Sequence, residues 1–468
     1  MYRFLVFLLM LISAAKAGER PNFLIIMADD CNYNDLPVYG GENAMTPNID
    51  SLAKSGLVFN QAYVAEAMCM PCRSELYTGL YPFSNGSAWN HSGSYEGITS
   101  MPQDLGKQGY RVGLTGKIHV RPRSVYPFKL IEGFDPKCGR SPTLKQDTKG
   151  IEAFMADKKQ PFCLMVCLVE PHRPWTMGDS SKYPVDKLKL PPYLADTKPT
   201  REAFSNYLAE VTYMDSQVGD VLKSLEKSGQ KDNTIVIFTS EQGAQFPGGK
   251  WTNYDVGLHT AFIASWPGKI PVNKRTDALI QYADVLPTFM DIAGAENLEK
   301  YDGTSFKDVL MGIKSNHREY VYGIHNNAPE GPSYPIRSIS NGKFRYIMNL
   351  RPERQFIVKH MMGIDKNGVN TNKYWGTWLY EATENEEIFN LVQRFTNRPA
   401  EELYHTAKDK YELSNEAENP EYQALKANLK KELKKWLAES GDPGIELDTP
   451  EARLAAREDR HIYKPNNK

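Results

Sequence analysis

Residues 22–30, "NFLIIMADD", decide how the chain is read. An unbroken apolar run follows Asn22, and two carboxylates close it. A run without alternation is the mark of a strand covered on both faces, as in a parallel sheet. The form recurs in "GYRVGLTGK" (109–117), "PFCLMVCLVE" (161–170) and "NTIVIFTSEQG" (233–243), with "AFIASWPG" (261–268) as a fifth candidate. Helical stretches lie between them: "TPNIDSLAKSG" (46–56), and residues 201–229, where Leu208, Val211, Met214, Val218, Leu222 and Leu225 keep helical spacing. Strand alternating with helix predicts an α/β fold with a large, mixed, mostly parallel sheet sandwiched by helices. Polar residues at the carboxyl ends of such strands gather along one edge, where ligands bind. Asp29, Asp30, Lys117, His119, His172, Glu241 and Gln242 are therefore expected to be neighbours.

Beyond about residue 330 the texture changes. "YPIRSISNGKFRYIMNL" (334–350) alternates around Asn341-Gly342 and predicts antiparallel strands. "PEYQALKANLKKELKKWLAESG" (420–441) reads as an amphipathic helix whose lysines form a solvated face. The expected division is residues 18–330 as the α/β domain and 331–468 as a smaller α+β subdomain. Residues 1–17 have an early arginine, a short apolar run and Ala15-Lys16-Ala17, which reads as a cleaved signal peptide and predicts a secreted or periplasmic protein. A membrane anchor would need about 20 apolar residues, and the run is shorter.

Lysine and arginine total 56 against 57 acidic residues, a net charge of -1. No basic field points to nucleic acid or to an anionic membrane, so an anionic substrate would need cations concentrated in a site. Six cysteines in 468 residues do not make a disulfide scaffold. Cys163 and Cys167 lie within a strand-like run and read as core thiols; Cys31 and Cys138 have no evident partner.

"AEAMCMPCRSELYTG" (65–79) contains a Cys-x-x-Cys frame with three readings. A redox pair would sit just after a first strand in a small domain, and a zinc knuckle needs a second Cys/His pair. The third reading takes the whole segment. Cys69-Met70-Pro71-Cys72-Arg73, followed by Leu76, Thr78 and Gly79, resembles the signature of the type I sulfatases of the alkaline phosphatase superfamily. In that family the first cysteine is oxidised to formylglycine by a formylglycine-generating or equivalent maturation enzyme. Cys72 stands where the family usually has serine or alanine, and a disulfide with Cys69 would block maturation. "LIIMADD", "TPNIDSLAKSGLVFNQAYV", "TGKIHV", "EPHRPW", "IVIFTSEQG", "GGKWTNYDVGLHTAFIASWPG" and "EELYHTAKDKYELSN" resemble further family segments, in order along the chain. "GKIHVRPRSVYPFK", "PHRPW" and "SEQGAQFPGG" are most similar to the branch containing the heparan N-sulfatases.

The resemblance implies a site. A hydrated aldehyde at position 69 supplies the oxygen nucleophile, and its second hydroxyl lets the intermediate collapse, which divides one hard step into two. Asp29, Asp30, Glu241 and Gln242 would be the metal ligands, an all-oxygen set that suits calcium, or magnesium, better than zinc. Glu241 stands in place of the family's usual aspartate. Lys117 and Lys250 would clamp the sulfate, and Arg73 would hold the diol and the metal-side carboxylates. His119 would take a proton and His172 would protonate the leaving atom. His259 and Arg173 would line the substrate site, with His91 near the sugar. Trp89, Trp175 and Trp251 would be either sugar-stacking or core residues. The implied function is hydrolysis of sulfate esters or sulfamates on a sulfated oligo- or polysaccharide, glycosaminoglycans included. The alternatives are a phosphate or phosphonate monoester hydrolase of the same superfamily and an inactive glycan-binding homologue.

Overall fold

The computed structural model describes residues 20–463 apart from 364, 366, 368, 370 and 371. The expected signal peptide lies outside the described residues. Strands β1 (Asn22–Ala28), β2 (Leu57–Tyr63), β3 (Arg111–Gly116), β4 (Lys129–Leu130), β5 (Phe162–Cys167), β6 (Thr234–Ser240), β7 (His259–Ser265), β8 (Lys274–Thr276) and β9 (Ile280–Gln281) form one sheet. Its order is β4-β3-β5-β1-β6-β7-β2-β8, with β9 also on β2. The run β4-β3-β5-β1-β6 is parallel throughout.

Each apolar run is continuous because both sheet faces are covered. In β1, Leu24, Ile26 and Ala28 enter one core with Phe238, Leu208 and Met214, while Phe23, Ile25 and Met27 enter the opposite core with Phe289 and Leu105. The helix Lys198–Lys227 covers the first face; Thr197 caps it and Pro199 sits in its first turn, where a missing N–H costs nothing. The fifth run, β7, is antiparallel to both β6 and β2. The connection between β6 and β7 contains only the short helix Asp255–Leu258 and carries the active-site segment around Lys250.

The second sheet comprises β10 (Val321–His325), β11 (Ile336–Ser340), β12 (Arg345–Asn349) and β13 (Glu401–Tyr404), all antiparallel and in that order. The hairpin at Asn341-Gly342 forms as expected, with Asn341 Oδ1 accepting from the Lys343 and Phe344 amides and Gly342 at φ +82°. The expected division at 330/331 cuts through this unit, because β10 already pairs along β11 from Val321. β10 also joins the two units: the Ile324 amide donates to the Ala65 carbonyl at 2.7 Å, just before the Cys69 segment. The lysine-rich helix Gln423–Glu439 packs on β11 through Leu429 and Leu433. Among the described residues no helix is long and apolar enough to cross a membrane.

Candidate functional site

Strands β3, β5, β1 and β6 lie side by side and end level: Gly116 and Met27 both pair with Cys167, and Ala28 with Ser240. The ladder continues one step past the strands. The Asp29, Lys117 and Glu241 amides donate to Glu170, Cys167 and Ala28 carbonyls at 3.0–3.1 Å. Four segments far apart in sequence thus deliver Asp29-Asp30, Lys117, His172 and Glu241-Gln242 to one edge.

The helix Cys69–Thr78 closes this edge, and all ten of its residues are buried. Cys69 is its first residue, so position 69 sits at the partly positive end of the helix, which favours an anion. Pro71 falls in the first turn, where proline is tolerated. Arg73 lies one turn after Cys69 on the same face. Gly79 ends the helix at φ +68°, a conformation that glycine adopts freely. Cys69 and Cys72 are free thiols, and Cys72 Sγ points to the Glu241 carbonyl at 3.2 Å.

The thiol of Cys69 is the meeting point. Lys250 Nζ is 3.2 Å away, Gln242 Nε2 3.6 Å, Asp29 Oδ1 3.8 Å and Asp30 Oδ1 4.0 Å. Lys117 Nζ pairs with Asp29 at 2.5 Å and lies 3.7 Å from Glu241; Lys250 pairs with Asp30 at 2.7 Å. Arg73 pairs through Nε with Glu241, and its Nη1 donates to the Lys117 carbonyl at 2.6 Å. Cys69, Arg73, Asp29, Asp30, Lys117, Glu241, Gln242 and Lys250 therefore form one contact cluster.

Three buried carboxylates face three buried cations. Burial pulls the Lys117 ammonium down, but Asp29, Cys69 and Glu241 outweigh it and hold the pKa well above the usual lysine value. Burial, reinforced by Glu241, pushes the Cys69 thiol well above the ordinary cysteine value. Position 69 as a plain thiol is therefore a poor nucleophile.

Of the four expected ligands, Asp29 and Asp30 belong to a group of side chains that could hold a metal ion, whereas Glu241 stands outside that group, held by Arg73. Oxygens of Asp29 and Asp30, the Cys69 sulfur and a His172 nitrogen all lie within 4.8 Å of one another. Gln242 Oε1 is buried without a partner, while its Nε2 is turned into Asp30, Glu241 and Cys69. A half-turn of that amide would present Oε1 to a cation among the carboxylates. Without a cation the three lysine and arginine charges balance the three carboxylates; with one, the site carries the net positive charge that a sulfate needs.

His172 has a defined tautomer. Its Nδ1 lies 2.6 Å from the Arg173 carbonyl, which can only accept, so Nδ1 carries a hydrogen. Nε2 is the exchangeable position and lies 3.6 Å from Asp30 Oδ2. His119 Nε2 contacts His91 Nδ1 at 3.0 Å, and His119 Nδ1 is buried without a partner.

These groups open into a cavity of about 600 Å³ between the two units. Arg173 is on its wall. His259 is not. Its ring stacks on Tyr33 at 3.6 Å, and its Nδ1 donates to Asp255 at 3.0 Å in a buried cluster with Tyr63 and Arg345. Asp255 lies one helical turn before it, but Tyr33, Tyr63 and Arg345 converge from three distant segments to fix that pair away from the cavity. Of the tryptophans, Trp251 lines the cavity, Trp175 stacks on Phe246 and Trp89 is core. Sequence reasoning missed Glu330, Lys359 and His360, which reach the cavity from the second unit. It also missed a cluster of left-handed backbone: Asp30, His91, His119 and Trp251, with φ of 39° to 68°, are four of the seven non-glycine residues with positive φ among the described residues. Such backbone gathers at functional sites.

The family model described as Sulfatase matches residues 21–295, and one described as N-sulphoglucosamine sulphohydrolase, C-terminal, matches 249–355. An ulvan-active sulfatase of Formosa agariphila is 33% identical over 463 residues, covering 96% of this chain and 88% of the relative. The N-sulphoglucosamine sulphohydrolase of Homo sapiens is 26% identical, covering 94% of each chain. A structure solved in complex with its substrate D-glucosamine-2-N,6-O-disulfate superimposes with TM-score 0.67 at 20% identity over 91% of this chain and 99% of the other. The phosphonate monoester hydrolase of Agrobacterium radiobacter also shares the fold, with TM-score 0.67 at 18% identity over 90% and 96%.

Proposed function

Because this chain belongs to the sulfatase family, we propose that it hydrolyses a sulfate ester or sulfamate on a sulfated carbohydrate, with an oxygen nucleophile made from Cys69. One observation carries the reading: Cys69 lies within 4.0 Å of Lys250, Gln242, Asp29 and Asp30 at the first residue of a helix. The raised thiol pKa supports a nucleophile other than sulfur, and a hydrated formylglycine at position 69 would supply one. Maturation requires an enzyme that oxidises Cys69, and the free Cys72 leaves that thiol available. The segment 1–17 supports export to the periplasm or the exterior.

Calcium, or magnesium, held by Asp29, Asp30, Glu241 and Gln242 would add positive charge against the sulfate oxygens. Lys117 and Lys250 would bind the same oxygens, turning from the carboxylates that now hold them. Arg73 keeps Glu241 in place and ties it to the Lys117 backbone, a two-pronged task suited to a planar guanidinium. His172, with Nδ1 fixed by the Arg173 carbonyl, would deliver a proton from Nε2 to the departing oxygen or nitrogen. His119 would accept a proton from the hydroxyl at position 69.

The relatives' names support two linkages: N-sulfate through the human sulphohydrolase and sulfate on ulvan through the Formosa enzyme. Sulfate release from defined glycosaminoglycan and algal oligosaccharides, read by ion chromatography, tests the reading. Matched phosphate and phosphonate esters belong in the same screen. Faster turnover of those esters, or an intact thiol at position 69 by peptide mass spectrometry of active protein, refutes it.

A further inference from the structure

We infer that His91 is a positioning residue for the sulfatase reaction: it accepts a hydrogen bond from His119 Nε2 and so leaves His119 Nδ1 as the nitrogen that takes the proton. The inference rests on the proton-accepting role of His119 proposed above and names the group that sets it up.

The two rings meet through His119 Nε2 and His91 Nδ1 at 3.0 Å, with centroids 4.8 Å apart. A neutral imidazole has one donor and one acceptor nitrogen, so this contact fixes both rings at once. If His91 donated, Nδ1 of His119 would carry the hydrogen and could accept nothing. If His91 accepts, the Nδ1 lone pair is bare, and that atom is buried without a partner. His119 and position 69 line the same cavity, so the hydroxyl proposed there would supply the donor this orphan lacks. The proton then moves from that hydroxyl to Nδ1, and the Nε2–H bond to His91 helps disperse the new charge next to Lys117.

Two further observations agree. His91 and His119 both hold positive φ, 58° and 39°, although they come from loops 28 residues apart. Left-handed backbone at two touching residues persists where the surroundings demand it. In addition, the charges around His91 favour the neutral form that an acceptor needs. Burial and then Arg457, Lys117, Lys250 and Arg453 push it down to about 4. The two arginines belong to the helix Pro450–Arg457, which packs against the His91 loop at Gly93.

Three variants test the inference. Glycine suits φ 58°, so His91→Gly should fold and leave a hole beside His119. Its kcat on the oligosaccharide should fall about 10–100-fold, the usual cost of losing a group that orients an active-site ligand, while KM changes little. Added imidazole should restore part of the loss. His91→Asn keeps a carbonyl acceptor near the Nδ1 position and tolerates the backbone; it should stay close to wild type. In His119→Ala, His91→Gly should add nothing further. A rise in KM at unchanged kcat would overturn the inference, since it marks a sugar contact instead. Equal loss in the glycine and asparagine variants with no imidazole rescue would also overturn it. A wild-type protein that releases no sulfate overturns the proposed function together with this inference, whereas the results above on active protein overturn only this inference.

Discussion

Replacing His172 with alanine separates acid catalysis from folding. Structurally the change is mild. The side chain is 18% exposed on the cavity wall, so water can take over the one hydrogen bond that Nδ1 gives to the Arg173 carbonyl at 2.6 Å. Such a bond contributes about 0.5–1.5 kcal/mol net, and solvent recovers part of it, so the melting temperature should barely move. Catalytically the change removes the Nε2 proton. A positioned general acid gives roughly 10²–10⁴-fold, which at about 1.36 kcal/mol per tenfold is about 2.7–5.4 kcal/mol of barrier. That penalty should fall on a sugar oxygen or nitrogen, a poor leaving group that must be protonated as it departs. An activated aryl sulfate, whose phenolate leaves unaided, should lose far less. The assay is kcat/KM on both substrates for wild type and variant, with thermal unfolding alongside. Equal losses on the two substrates at unchanged stability would refute the acid role of His172.

In protein expressed without maturation, iodoacetamide should label Cys138 well before Cys69. Cys138 is partly exposed, and Lys117 and His172 overcome burial to hold its thiol below the ordinary value, whereas Cys69 is buried and raised; faster labelling of Cys69 by peptide mass spectrometry would contradict the site electrostatics. Calcium at about 100 times its dissociation constant should stabilise the protein by about 2.7 kcal/mol in thermal unfolding, and Asp30→Asn should abolish the response; an unchanged response would place the ion elsewhere. Glu210 is pushed up to about 8, by burial, while its Oε1 accepts from the Thr176 and Met177 amides. Its folded pKa lies above the ordinary 4.5, so the folded state keeps a proton that the unfolded state releases, and stability falls as pH rises from about 4.5 to 8. Glu210→Gln keeps both bonds without the charge; its advantage over wild type should be absent near pH 4 and grow to at most about 5 kcal/mol above pH 8, and a pH-independent difference in urea unfolding would refute the assignment.

Much of the site was legible along the chain. Apolar runs ending in Asp29-Asp30, Lys117 and Glu241-Gln242 predict strand ends, and a parallel sheet necessarily brings such ends to one edge. Cys69 and Arg73 share a face because they are one helical turn apart. Local rules of this kind, a period and a spacing, survive in a linear string. Contacts between segments do not. The antiparallel return of β7, the start of the second sheet at Val321, and the stacking of His259 on Tyr33 each depend on partners tens to hundreds of residues away. So do the rim residues Glu330, Lys359 and His360 and the His91–His119 bond. The sequence by itself determined which chemistry is carried and on which elements. Tertiary packing decided which nitrogen faces which oxygen, because hydrogen-bond geometry is set by distances of a few ångströms between elements that the order of residues does not encode.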